Sequence, residues 1–180
     1  MIKIPPKQLT LPETFIIESL SFDDESQNRL DGKLLYDVLR LYEKKPEYFY
    51  VRTEKELIEL SKKFRESGFR YLHISCHGNT NAFRFTLDEI NFPRFANIFQ
   101  EKLDKRRLFI SGCELGNDSL ASALYNTNRG MYSIIAPNKP IFFQQSAPFW
   151  SAFYYRMNAY TGKEMKKARI IMELEDLTRL

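Results

Sequence analysis

YLHISCHGNT, residues 71–80, is a short apolar run that stops abruptly at Cys-His-Gly. It holds both histidines of the chain, His73 and His77, and one of its two cysteines, Cys76. Residues 71–76 have the length and composition of a buried strand. Working outward, similar runs recur at FIIESL (15–20), YFYVRT (48–53), LFISGC (108–113) and YSIIAP (132–137). Between them lie segments with helical spacing. Residues 34, 35, 38, 39 and 42 are apolar, and Leu57, Leu60, Ser61 and Phe64 share a face between Thr53 as N-cap and Gly68 as stop. In PRFANIFQEKLDKR (93–106), Phe95, Ile98, Phe99 and Leu103 predict another helix. A short one follows from Asp118 or Ser119 to about Tyr125, and two more close the chain in SAPFWSAFYYRM and KEMKKARIIMELEDL.

Short apolar strands alternating with amphipathic helices predict an α/β fold, a doubly wound, mostly parallel sheet with helices on both faces. No repeat or linker divides residues 1–180, so one domain is expected. Fifteen Phe and ten Tyr predict a ring-rich core. The net charge of +4 is spread along the chain and does not point to nucleic acid. The densest basic cluster, KEMKKAR (163–169), reads as a solvated helix face. Two cysteines make no disulfide framework, and no stretch reaches the roughly 18 apolar residues of a membrane span. With no signal-peptide pattern at the N-terminus, the expectation is a cytoplasmic protein with free thiols and no membrane partner.

Sites in such sheets lie beyond the carboxyl ends of the strands. Two neighbouring strands end in Cys76-His77-Gly78 and in Ser111-Gly112-Cys113-Glu114. A thiol nucleophile needs a base and a place for the oxyanion it creates. His77 is the candidate base, and the Gly78 N–H is a candidate oxyanion donor. The start of the helix near Asn117 favours thiolate modestly, and Gly112 and Gly116 permit a tight turn around Cys113.

HISCHG followed by LFISGCELG resembles the caspase-like peptidase fold, specifically its bacterial CHAT group. YSIIAPNKPIFFQQSAPFWSAFYYRM is similar to that family's fifth strand, loop and aromatic helix, so the resemblance spans about residues 70 to 160. It implies a three-layer caspase-hemoglobinase-like sandwich, a His77–Cys113 dyad, and an oxyanion hole from the N–H groups of Gly78 and Cys113. It also implies a protein or peptide substrate, no cofactor, and a bacterial regulated-death or defence setting. The pentapeptide Q-A-C-[RQG]-G of animal caspases is absent, so their preference for Asp at P1 does not carry over. No sensor domain accompanies these residues; an activating partner or self-association is the expected control.

Around the dyad, Glu114 reads first as a loop charge and Asp118 as a helix N-cap, although the resemblance implies that a carboxylate near the nucleophile could bind a basic P1 side chain. Arg84 could favour an acidic one, and Asn138 and Lys139 would form one wall of the cleft. His73 and Cys76 read as packing residues. A zinc site built from His73, Cys76, His77 and Cys113 is opposed by strand alternation, which turns Cys76 to the other face. Two other functions compete: a silent caspase-like fold used as a binding or assembly module, and a flavodoxin- or receiver-like domain. Against the latter, no acidic cluster suited to Mg²⁺ is evident at the end of the first strand, and no phosphate loop is present.

Overall fold

A computed structural model describes residues 10–159 and 165–179. Five parallel strands make the main sheet: β1 (Leu11–Ser19), β2 (Glu47–Tyr50), β3 (Phe69–Gly78), β6 (Arg107–Ser111) and β7 (Ser133–Ile135). Their order is β2-β1-β3-β6-β7, so the strands that carry the motifs are neighbours at the centre. Continuous apolar runs fit strands covered on both faces. Beyond the ends of β1 and β2 sits a hairpin, β4 (Ala82–Arg84) and β5 (Glu89–Asn91), which pairs antiparallel with the tip of β3. Thr86 at its turn anchors it, with its N–H donating to Ser19 Oγ at 3.1 Å and its hydroxyl to Leu20 O at 2.6 Å.

Odd and even positions of the strands serve two cores. One face packs Phe15, Leu72, Ile74 and Ile110 under α3 (Glu54–Ser67), α4 (Phe92–Ile98) and α5 (Asp118–Thr127). The other packs Ile16, Tyr71 and Phe109 under α2 (Asp31–Leu41), α6 (Phe143–Ala159) and α7 (Lys167–Leu177). The result is the three-layer, doubly wound α/β sandwich that the alternation predicts. Thr53 caps α3 in a full capping box with Glu56, and Gly68 ends it at φ 69°.

Three local expectations need correction. The helix over 93–106 stops at Ile98, because Glu101 and Lys105 turn left-handed. Its apolar residues Phe99 and Leu103 are nevertheless buried, so the spacing reported burial rather than helix. Asp118 does not cap α5; the side chain of Asn117 does, accepting from Leu120 N at 3.0 Å. The acidic loop after β1 contains a helical turn, α1 (Phe22–Ser26), capped by Ser21. The expected basic helix start at 163 falls partly outside the described residues, and the described helix begins at Lys167.

Candidate functional site

The register of β3 on β6 brings the two motifs together. Ser75 stands opposite Ser111; His77 lies two residues further along β3, and Cys113 lies in the turn two residues beyond the end of β6. Ser75 and Ser111 point toward the α2/α6 face, where they bond Asp31 and His73. His77 and Cys113 line one cavity of about 30 Å³, with Asp31, Cys76, Ser111, Gly112, Ile141, Phe143 and Ser146. Cys76 reaches it from the opposite core, where its thiol is buried and burial pushes its pKa above the ordinary range. Its side chain packs in the core on the face of the sheet opposite His73. Among the described residues no group of three or more His, Cys, Asp or Glu is placed to hold a metal ion.

His77 is anchored by a residue that the motifs do not contain. Its Nε2 lies 2.7 Å from Asp24 Oδ2, and the ring edge meets Phe143 at 5.7 Å between centroids. Asp24 also accepts from the Ser21 hydroxyl at 2.5 Å and from Arg29 at 2.9 Å. Burial alone would raise its carboxyl pKa, but the hydrogen bonds from Ser21, His77 and Arg29 outweigh that and hold it below the usual range. An anionic acceptor at Nε2 keeps the proton of the neutral ring there and leaves Nδ1 with its lone pair. The five-residue turn α1 exists to present this carboxylate: Ser21 caps the helix through Asp24 N and holds the Asp24 side chain through its hydroxyl.

Cys113 sits on a strained turn. Glu114, the next residue, has φ 58°, so the left-handed conformation falls on a non-glycine and not on Gly112 or Gly116. The glycines serve close approach: a Cβ on Gly112 would lie 2.9 Å from Cys76 O, and one on Gly116 would lie 2.4 Å from Ala136 O. Against this turn runs a strap of residues 136–142 in antiparallel fashion. Gly116 N donates to Pro137 O at 2.7 Å and Glu114 N to Lys139 O at 3.3 Å. At its end the Cys113 thiol donates to Ile141 O and accepts from Ile141 N, both at 3.3 Å. The thiol is thus half-buried and capped by main chain.

Gly78 pairs with Phe83, while Asn79 N donates to Ala82 O at 3.1 Å. Alternation in the antiparallel ladder then makes 78/83 a pair whose backbone groups point outward. Since β4 lies over the ends of β1 and β2, the outward side of Gly78 is the side of β6 and Cys113.

Beneath the dyad lies a buried polar column that the sequence did not reveal. Glu18, within the apolar run of β1, is fully buried and accepts from Gly32 N at 2.8 Å, Lys33 N at 3.1 Å and Tyr48 OH at 2.7 Å. Asp31, 5% exposed, accepts from Ser75 and, at 3.2 Å, from Ser146. Burial, with the neighbouring Asp31 charge, pushes Glu18 up to about 7, and burial raises Asp31 as well. A buried carboxyl pair therefore stands near the end of β1, which the sequence reading did not single out. Deeper still, His73 is fully buried between Tyr154 OH at 3.1 Å and Ser111 Oγ at 2.8 Å, and burial lowers it to about 3, so it is neutral.

The remaining candidates lie outside the cavity. Asp118 is exposed in the first turn of α5, and Arg84 is exposed and paired with Glu89 at 2.9 Å. Glu114 contributes its backbone to the strap and to Asn117 Nδ2, at 2.8 Å. Asn138 and Lys139 line a second groove of about 790 Å³ between the strap, α6 and α7, which Cys113 and His77 do not line.

No family model matches this chain, and no curated protein does. Among solved structures, the rubredoxin:oxygen oxidoreductase of Desulfovibrio gigas is similar at 10% identity and a TM-score of 0.45. That likeness covers 93% of this chain and 38% of the oxidoreductase, so the chain spans well under half of that protein's length.

Proposed function

We propose that the chain is a cysteine endopeptidase that cleaves a protein substrate with Cys113 as nucleophile and His77 as acid and base. One observation carries this: the register of β3 on β6 puts a thiol and an imidazole at one cavity, with the imidazole fixed by an anionic carboxylate. His77 Nδ1 takes the thiol proton and the thiolate attacks the scissile carbonyl carbon. In this reading the Gly78 and Cys113 N–H groups receive the oxyanion. As the C–N bond breaks, His77 returns the proton to the leaving amine. Water, deprotonated by His77, then cleaves the thioester and regenerates the thiol. Asp24 orients the ring throughout and stabilises the imidazolium.

Two free thiols suit a reducing cytoplasm, where we place the protein. No helix among the described residues is long and apolar enough to cross a membrane. The resemblance to CHAT domains suggests a bacterial regulated-death or defence pathway and an activating partner.

A second reading has its own support. The strap satisfies the Cys113 thiol with main-chain groups, which suits a silent fold serving as a binding or assembly module, or an enzyme held latent. Mass spectrometry of new N-termini separates these. An extract treated with wild-type protein should contain cleavages absent after treatment with Cys113→Ala. Identical termini in both would favour the silent module.

A further inference from the structure

The strands of the main sheet are parallel, so their amino ends meet at the pole opposite His77 and Cys113. Thr10 precedes β1, Gly68 precedes β3 and Arg106 precedes β6, three neighbouring strands, and all three residues line a cavity of about 180 Å³. Arg65, from the last turn of α3, and Lys105, whose N–H donates to Gly130 O at 2.9 Å, complete its cationic wall. Arg106 is only 7% exposed. Its guanidinium lies over the Phe64 ring and donates to Lys102 O and, at 3.0 Å, to Arg65 O, but its Nε is buried with no partner. It pairs with no carboxylate among the described residues. The two acids of the wall, Glu101 and Asp104, are exposed, and Asp104 stands 3.9 Å from Lys105 Nζ. Burial, with the Arg65 charge beside it, pulls Arg106 down to about 10, and burial with the same Arg65 charge lowers Lys102. A buried cation without an anion is costly, and an anion brought to it recovers part of that cost.

We propose that this cavity binds a phosphate dianion, free or as the head of a small phosphomonoester, with Arg106 and Arg65 as its principal ligands. Charge selects the class. Three cations and two carboxylates line the cavity, and Lys102 stands beside Arg65. A dianion neutralises that excess, whereas a carboxylate would only halve it. Guanidinium groups also favour phosphate because their fork of N–H donors matches its oxygens. The fork of Arg65 is uncommitted, since its side chain is exposed and has no ion-pair partner among the described residues. Thr10 supplies a neutral donor: its hydroxyl oxygen already accepts from Arg70 Nε at 2.7 Å, which leaves its own hydrogen for the ligand. At about 180 Å³ the cavity far exceeds what one water needs and falls short of the roughly 300–1,000 Å³ of pockets for drug-sized ligands, the range of a compact anion. The site lies at the far end of the strands from the dyad and does not depend on the peptidase reading.

NMR titration of the intact protein at fixed ionic strength tests this, at about pH 7.5 where a phosphomonoester carries close to two negative charges. Inorganic phosphate and glycerol 3-phosphate should give saturable shifts at the amides of Thr10, Gly68, Lys105 and Arg106. Both should bind about tenfold or more tightly than acetate. Arg65→Gln removes an exposed side chain but keeps the carbonyl that Arg106 uses, so the fold should survive while both affinities fall by about tenfold. Tighter binding of glycerol 3-phosphate than of inorganic phosphate would make the ester the ligand, and the reverse would make it the free ion. Shifts that never saturate, acetate binding as tightly as phosphate, or affinities unmoved by Arg65→Gln would overturn the site. So would a phosphoserine peptide that binds where both small phosphates fail, since the surface would then dock a phosphoprotein instead.

Discussion

His77 is positioned by a carboxylate that lies 53 residues earlier in the chain and owes its place to a single helical turn. Asp24→Asn should therefore slow both Cys113 alkylation and any cleavage by roughly ten- to a hundredfold, since the amide can no longer stabilise the imidazolium. A change confined to packing would lower stability without altering the pH profile of alkylation, so that profile is the measurement to make. Glu18 offers a second test at this scale. Its folded pKa, about 7, lies above its ordinary value of 4.5, so between those pH values the folded state binds the extra proton. Its contribution to stability thus falls as pH rises through that window and is level above it. The loss is on the order of 3 kcal/mol, and the raised Asp31 acts in the same direction. Urea denaturation from pH 5 to 8 should show the wild type losing stability relative to Glu18→Gln as pH rises; a constant difference would contradict this.

Among the elements, the strap of residues 136–142 decides how accessible the thiol is. Ile141→Pro removes the N–H that caps Cys113 Sγ, and should raise the alkylation rate of Cys113 several-fold while leaving Cys76 unchanged. An unchanged rate would mean that the strap does not hold the thiol. This scale also shows what the sequence could express. Five strands were legible because each is a short, mostly apolar run. The β4–β5 hairpin was not, since three-residue strands carry too little alternation to register. The turn α1 was hidden for a related reason: FDDES is short and charged, so Asp24 read as a solvated loop residue. Residue type placed His77 and Cys113 at strand ends directly, whereas Asp24, Glu18 and Asp31 join the site only through tertiary approach. Glu18 was further masked by its apolar neighbours in FIIESL.

Across the whole molecule, the polar column of Glu18, Asp31, His73 and Ser111 is enclosed by the aromatic core under α6. Trp150 is 1% exposed and meets His73, Phe109 and Phe153 edge-on at 5.0, 5.9 and 5.6 Å between centroids. Trp150→Ala should cost about 3–5 kcal/mol, a large part of the stability of any domain this size, and lower the denaturation midpoint accordingly. The ring-rich composition foretold such a core; which rings would surround a buried histidine followed only from the register of β3 on β6. That same register underlies the proposed chemistry, and differential alkylation probes it most directly. With limiting iodoacetamide, Cys113 should be labelled far faster than the buried Cys76, and His77→Ala should abolish most of that advantage. Equal slow labelling of both thiols, or an advantage indifferent to His77→Ala, would contradict a working Cys113–His77 pair.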